Sequence, residues 1–194
     1  MPGRLTLGLY NCYDPKQWYD IMRVTLARAG PVALAFDADV ATFGFPFLQA
    51  RRRGSMRSEA LRTAHEVADF VASGTSIGEG GEYVRTIVEA NRLHILPFGG
   101  ERDAGPRALG RLVAATPQPD PEKACTPLEV AKLLAAGEPQ MVLFGLGPRG
   151  LPQEVLDAAP RHLEITGKGI SMETSTALGA LPAMISAHLQ HLKA

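Results

Sequence analysis

Apolar positions along the chain change their spacing repeatedly, and each change predicts a new element. Leu5-Thr6-Leu7-Gly8-Leu9-Tyr10 is a short apolar run suited to a buried strand, and Asn11 to Pro15 punctuate it with turn residues. From Lys16 to Ala29 the apolar residues Trp18, Ile21, Met22, Leu26 and Ala29 recur at helical spacing. Gly30-Pro31 predicts a stop there, because proline disfavours helix in its predecessor and glycine accepts a left-handed cap. Val32 to Phe36 then predicts a second strand, and Ala41 to Phe47 is a third apolar stretch. Ser58 to Ala72 is periodic again, with Leu61, Ala64, Val67, Ala68 and Val71 on one face. The glycine-rich stretch from Gly74 to Gly81 predicts a loop, Glu82 to Asn91 a helix, and His94 to Phe98 a short strand.

The second half is more regular. Arg111 to Ala115 predicts a strand, ending in the proline-rich turn Thr116-Pro117-Gln118-Pro119-Asp120-Pro121. Thr126-Pro127-Leu128-Glu129 opens a helix with an N-cap threonine, proline at the first helical position and an acidic first turn. That helix runs to Ala136 and stops at Gly137. Gln140 to Phe144 predicts a strand, Pro152 to Ala159 a short helix, His162 to Ile165 a strand, and Glu173 to Leu192 a last helix kinked at Pro182. Alternating strands and helices predict an α/β fold, a parallel sheet flanked by helices on both faces.

Composition narrows the classes. A chain of 194 residues with 45% hydrophobic residues supports one core of ordinary size. Twenty basic and twenty acidic residues leave no net field to attract nucleic acid. The concentrated basic stretch is Arg51, Arg52, Arg53 and Arg57, with Arg62 beyond it, a candidate contact for RNA phosphates or a solvated face. No apolar run approaches the roughly 20 residues of a membrane span, and the N-terminus has no secretory pattern, so a cytoplasmic protein is expected. Cys12 and Cys125 lack metal-ligand spacing, and His188 and His191 have no further ligands nearby, so no metal is expected.

The candidate chemistry centres on Gly145-Leu146-Gly147-Pro148-Arg149-Gly150. This G-x-G-x-x-G follows a strand and precedes a helix, and Glu164 stands about where a ribose-binding acid would. Read locally, the turn suits an NAD-type oxidoreductase. Two features oppose that. One strand and one helix remain after the turn, whereas a dinucleotide fingerprint belongs to the first crossover, and Pro148 removes a donor from the phosphate cradle.

Three segments, in order, resemble the cofactor motifs of the SPOUT methyltransferases: Leu112 to Pro117, Leu143 to Leu151, and Ile165 to Ala180. The whole chain is similar to an archaeal branch of that superfamily. The resemblance implies a single domain over 1–194 with a C-terminal deep trefoil knot, residues 111–194 forming the cofactor half and the Gly74–Gly110 region an insertion or extension. It also implies S-adenosyl-L-methionine (AdoMet) as cofactor, tRNA or rRNA as substrate, and a homodimer. The residues it places against AdoMet are Thr116, Pro117, Phe144, Gly145, Leu146, Gly147, Gly150, Ile165, Gly169, Ile170, Met172 and Ala177.

On the catalytic side, Asp14-Pro15-Lys16-Gln17-Trp18-Tyr19-Asp20-Ile21-Met22-Arg23 resembles the first motif of the ribose 2′-O-methylating members. It keeps the Asp-Pro and the arginine, and has Gln17 and Tyr19 where that motif has Asn and Gly. Arg23 is the first candidate for the catalytic arginine, ahead of Arg85. Ser171 and Glu173 complete the candidate set, with Gly147 and Glu173 standing where the family has Glu and Asn. Base methylation, or a knotted RNA-binding or assembly protein without catalysis, are the alternatives those departures leave open.

Overall fold

The structure, a computed structural model, describes residues 2–52, 54–74, 79–99 and 109–192. Seven strands form one sheet: β1 (Leu5–Asn11), β2 (Asp39–Phe43), β3 (Leu93–Leu96), β4 (Arg111–Ala115), β5 (Ala124–Cys125), β6 (Gln140–Leu146) and β7 (Arg161–Leu163). Their order is β3-β2-β1-β6-β4-β7-β5, and every pairing is parallel. The connecting helices are α1 (Asp20–Ala35), α2 (Ala64–Ser73), α3 (Gly80–Glu89), α4 (Pro127–Ala135), α5 (Gln153–Ala158) and α6 (Thr174–His191).

The strands are apolar on both faces because both are covered, as parallel sheets require. Leu7, Leu9, Val40, Val113, Val142, Phe144 and Leu163 point into the larger core beside the helices, with Leu26, Val84, Val130 and Leu181. Their neighbours in sequence, Tyr10, Ala41, Phe43, Ala114, Met141 and Leu143, point into the smaller core with Val155 and Ala159. Each strand alternates between the two, as the pleat dictates.

Several expected boundaries moved. Gly30-Pro31 does not stop α1, which continues to Ala35, so Val32 to Phe36 ends a helix and the strand begins at Asp39. The reason is tertiary. A β-carbon on Gly30 would lie 3.1 Å from Val84 Cγ2 and 3.2 Å from the Gly80 carbonyl oxygen, so the glycine lets α3 lie close against α1. The turn after α1 is made instead by Asp37, in the left-handed region at φ 49°, while Ala38 N–H donates to the Ala33 carbonyl. Likewise α2 begins at Ala64, not Ser58. Glu59 and Leu61 are held by hydrogen bonds to the carbonyls of Ala50 and Phe47, and Thr63 then caps the helix through a reciprocal box with Glu66. The Gly74–Gly110 region supplies α3 and β3, both packed into the sheet assembly, and Gly80 and Gly81 open α3. The two-residue strand β5 was not expected from the sequence.

The start of α4 follows its sequence signature. Thr126 Oγ1 accepts from Glu129 N–H at 3.3 Å, and Glu129 Oε2 accepts from Thr126 N–H at 2.7 Å. Thr126→Ala removes one half of this box, and urea unfolding is expected to show a loss of about 1 kcal/mol with an unchanged slope.

Candidate functional site

Because all strands are parallel, their carboxyl ends share one edge, and the loops after β4, β6 and β7 enclose a cleft of about 610 Å³ there. This is where open parallel sheets hold ligands. Backbone geometry builds it. After β6, Gly147 adopts φ 146° and Gly150 φ 67°, and the N–H of Gly150 closes the turn on the Gly147 carbonyl at 3.2 Å. A β-carbon at Gly147 would come within 2.9 Å of Cys12 Cβ, and one at Gly145 within 2.6 Å of the Leu151 backbone nitrogen. The turn is therefore wedged between the end of β1 and its own return.

The loop after β7 is held by one carboxylate. Glu164 accepts from the N–H of Thr166 at 2.8 Å and of Gly167 at 2.7 Å, and from the Thr166 hydroxyl. Burial pushes the Glu164 carboxyl upward, but these hydrogen bonds outweigh it and hold the group below the usual carboxylate range. Gly169, at φ 67°, faces the Pro117 carbonyl across the cleft, and Thr174 Oγ1 donates to the Gly145 carbonyl at 3.0 Å. The segments after β6 and β7 are thus tied to each other, and Thr116 N–H at the end of β4 donates to the Leu163 carbonyl at 3.2 Å.

Of the expected cofactor residues, Thr116, Pro117, Phe144, Gly145, Gly147, Gly150, Ile165, Ile170, Met172 and Ala177 line the cleft. Leu146 is buried behind the turn, and Gly169 stands opposite Pro117. Ser171 also lines the cleft. Glu173 is the N-cap of α6, its carboxylate accepting from the N–H groups of Ser175 and Thr176. Those bonds all use Oε2 and commit it to the helix, whose N-terminus favours a negative charge.

Arg23 is not among the residues lining the cleft. It is buried on α1, with Nε 2.9 Å from Asp20 Oδ1 and Nη1 donating to the Gly74 carbonyl. Arg85 lies on α3, where Asp69 and Glu82 hold it. In the basic stretch, Arg52 pairs with Glu59, bonds Ser73 Oγ and lies over the Phe70 ring, while Arg51 and Arg57 are exposed. Arg53 lies outside the described residues.

Two lining residues, and Cys12 beside them, had no warning in the sequence. Arg149 is the one arginine or lysine among the described lining residues, and it forms no ion pair with another described residue. His162 is buried, with Nδ1 accepting from Asp120 N–H at 3.0 Å and Nε2 2.9 Å from the Leu156 carbonyl. Those partners select the neutral Nε2–H tautomer and make it a strut of the Pro119–Asp120 turn. Cys12 sits against the turn, and burial pushes its thiol up to about 11, against weaker opposing effects of the Leu146 hydrogen bond and Arg149. A lone histidine in an apolar strand or an arginine inside a glycine turn carries no distinctive spacing, so no pattern could single them out.

The geometry argues against a pyrophosphate in this cleft. Pro148 has no N–H, that of Gly150 is spent within the turn, and the following helix α5 is capped by Pro152 and covers only Gln153–Ala158. Glu164, expected to reach a ribose, is committed to its own loop. AdoMet fits better. Apolar walls from Phe144, Ile165 and Leu181 suit an adenine, and the carboxylates of Asp120 and Asp157 suit a ligand with a sulfonium and an ammonium. Among the described residues no three His, Cys, Asp or Glu side chains are grouped to hold a metal, and no helix is long and apolar enough to cross a membrane.

The family model described as "Protein of unknown function (DUF531)" matches residues 5–186. The chain belongs to this family. An uncharacterized protein of Methanocaldococcus jannaschii is 35% identical over 189 residues, covering 97% of each chain. Among solved structures, one reported as giving insights into the 2-OH methylation of C/U34 on tRNA aligns with a TM-score of 0.58 at 20% identity, over 98% of this chain and 99% of that one. An AdoMet-bound rRNA methyltransferase from Sinorhizobium meliloti gives 0.57 at 16% identity, over 97% of this chain and 58% of that one. A TrmH/SpoU tRNA modifying enzyme from A. aeolicus gives 0.55 at 10%, over 99% and 80%. At these identities the likeness shows the fold, the parallel α/β sheet of the SPOUT RNA methyltransferases.

Proposed function

We propose that this chain is an AdoMet-dependent RNA methyltransferase of the cytoplasm, acting on tRNA or rRNA as a homodimer, with its last segment drawn through a trefoil knot. The observation that carries the reading is the cleft itself: the proline-rich loop after β4 and the glycine-bearing loops after β6 and β7 meet at the carboxyl ends of these strands, the latter two tied by Thr174, on a SPOUT-type sheet. AdoMet, when bound, supplies a methyl group on a positively charged sulfur.

In this proposal Thr116, Pro117, Gly145, Gly147, Gly150, Gly169 and Ile170 grip the cofactor mainly through backbone, with Phe144, Ile165, Met172 and Ala177 as its apolar wall. Asp120 and Asp157 balance its positive charge. Arg149 holds an RNA phosphate at the mouth, and Ser171 borders the acceptor position on the ribose or base. With AdoMet held there, the sulfonium would leave as the neutral thioether when its methyl passed to the acceptor oxygen or nitrogen, and the acceptor proton would pass to a neighbouring base. The protein's part is to align these atoms and exclude water.

Titration calorimetry with AdoMet and with NAD tests the cofactor. AdoMet is expected to bind and NAD to give no heat, and the opposite pattern ends the proposal. Incubation with labelled AdoMet and unmodified total RNA tests the reaction. Binding without transfer to any RNA would favour a knotted RNA-binding protein instead.

A further inference from the structure

A second depression opens on the same edge of the sheet, after β2 and β3, with a volume of about 460 Å³. Phe45 and Phe47 floor it, and Leu48, Ile95 and Pro97 form its walls. Leu48 is 55% exposed and Ile95 38%, large apolar side chains left in water beside a buried aromatic floor. The aromatic packing continues beneath: Phe47 lies 5.6 Å from Trp18, which meets Phe70 edge-on at 5.5 Å.

Charge singles out the occupant. Arg62 lines the depression, and Arg51 and Arg57 stand exposed on the same excursion between β2 and α2. Among the described residues none of the three forms an ion pair, although the chain as a whole is neutral. The nearby carboxylates are engaged elsewhere. Glu59 is bound to Arg52, and Glu66 accepts from the Arg62 and Thr63 N–H groups at the start of α2. An apolar slot with the exposed Arg62 on its lining, and Arg51 and Arg57 on the same excursion, complements an unstacked base attached to a phosphate backbone.

Position supports the same partner. Three strand spacings separate the β2–β3 junction from the β6–β4 junction, about 14 Å at ~4.8 Å per strand. That is the reach of a few extended nucleotides. Asn11 Nδ2 donates to the Gly44 carbonyl at 2.9 Å, which fixes the end of β1 against the lip of this depression.

We infer that the Phe45–Phe47–Leu48 depression is a base-binding pocket for single-stranded RNA, seating a nucleotide that flanks the methylated one while Arg62 contacts its phosphate. This inference rests on the RNA methyltransferase reading. It assigns a function to the basic stretch that the cofactor cleft leaves unused.

The test uses the full chain, a short single-stranded RNA of mixed sequence, and the same strand made abasic. Trp18 is the single tryptophan and lies against Phe47, so its emission reports on the pocket floor. The intact RNA is expected to bind and change that emission. Leu48→Glu, at an exposed position, and the abasic strand are each expected to weaken binding about tenfold, the order of one stacked base. Arg62→Ala is expected to reduce the salt slope of binding by about one. AdoMet affinity, read by calorimetry, stays unchanged in both variants.

Equal binding of intact and abasic RNA, or indifference to Leu48→Glu, overturns the pocket. Absence of RNA binding by the wild type overturns both the pocket and the function it rests on. Base-dependent RNA binding without AdoMet binding leaves the pocket standing and removes the methyltransferase reading.

Discussion

Gly145→Val is expected to distort the turn after β6 and to weaken AdoMet binding about 100-fold. The β-carbon would meet the Leu151 nitrogen at 2.6 Å and the Gly150 carbonyl carbon at 2.7 Å. These are backbone atoms, so no side chain can rotate away, and the return of the turn must shift. Overpacking of this kind typically costs about 3 kcal/mol at its upper end. Binding suffers with stability, because the Gly145 carbonyl also anchors Thr174 at the start of α6. A loss of about 3 kcal/mol from binding is about 100-fold in AdoMet affinity. Gly150→Ala is the companion variant. Nothing lies within 4 Å of its added carbon, so only the left-handed backbone at φ 67° is penalised, by about 1 kcal/mol. Calorimetry and urea unfolding on the two proteins check the ranking. Equal effects would mean that the close approach at Gly145 has no special part in the site.

Arg23→Ala is expected to destabilise the fold by about 2 kcal/mol and to leave AdoMet affinity intact. The guanidinium is buried and joins α1 to the end of α2 through the Gly74 carbonyl. Removing it leaves a cavity and an unsatisfied carbonyl. The loss of its partner Asp20 contributes less, since that side chain is 46% exposed and water can replace the pairing. Arg23→Lys recovers part of the loss, because a single ammonium cannot serve Asp20 and Gly74 in the same planar geometry. If a folded Arg23→Lys protein binds AdoMet normally yet fails to methylate RNA, the residue regains the catalytic role its spacing from Asp14-Pro15 implies.

The C-terminal half was legible because its signals are local. A strand bounded by prolines, a threonine cap with proline and glutamate behind it, and a glycine turn between strand and helix each draw on only a few neighbouring residues. Arg111–Ala115 came out with its predicted bounds, and Thr126 caps α4 as its sequence indicates. In the N-terminal half the same local rules misplaced α1 and β2. Gly30-Pro31 looks like a stop to any local rule, yet contact with α3 decides its conformation, and α3 lies fifty residues away in the chain. The basic stretch was visible as composition, but that Arg52, and not Arg51 or Arg57, forms an ion pair with a described residue depends on where Glu59 folds back.

What the sequence determined by itself was the alternation of strand and helix, the glycines at the loops, and the small residues at the head of α6, all matters of local conformational preference. What the tertiary structure alone decided was which carbonyl, carboxylate or guanidinium faces each of those loops. The order β3-β2-β1-β6-β4-β7-β5 brings residues from 115 to 181 to one cleft and sets the depression after β2 and β3 on the same edge. Strand order is set by long-range burial of two apolar faces, which no short window of sequence contains.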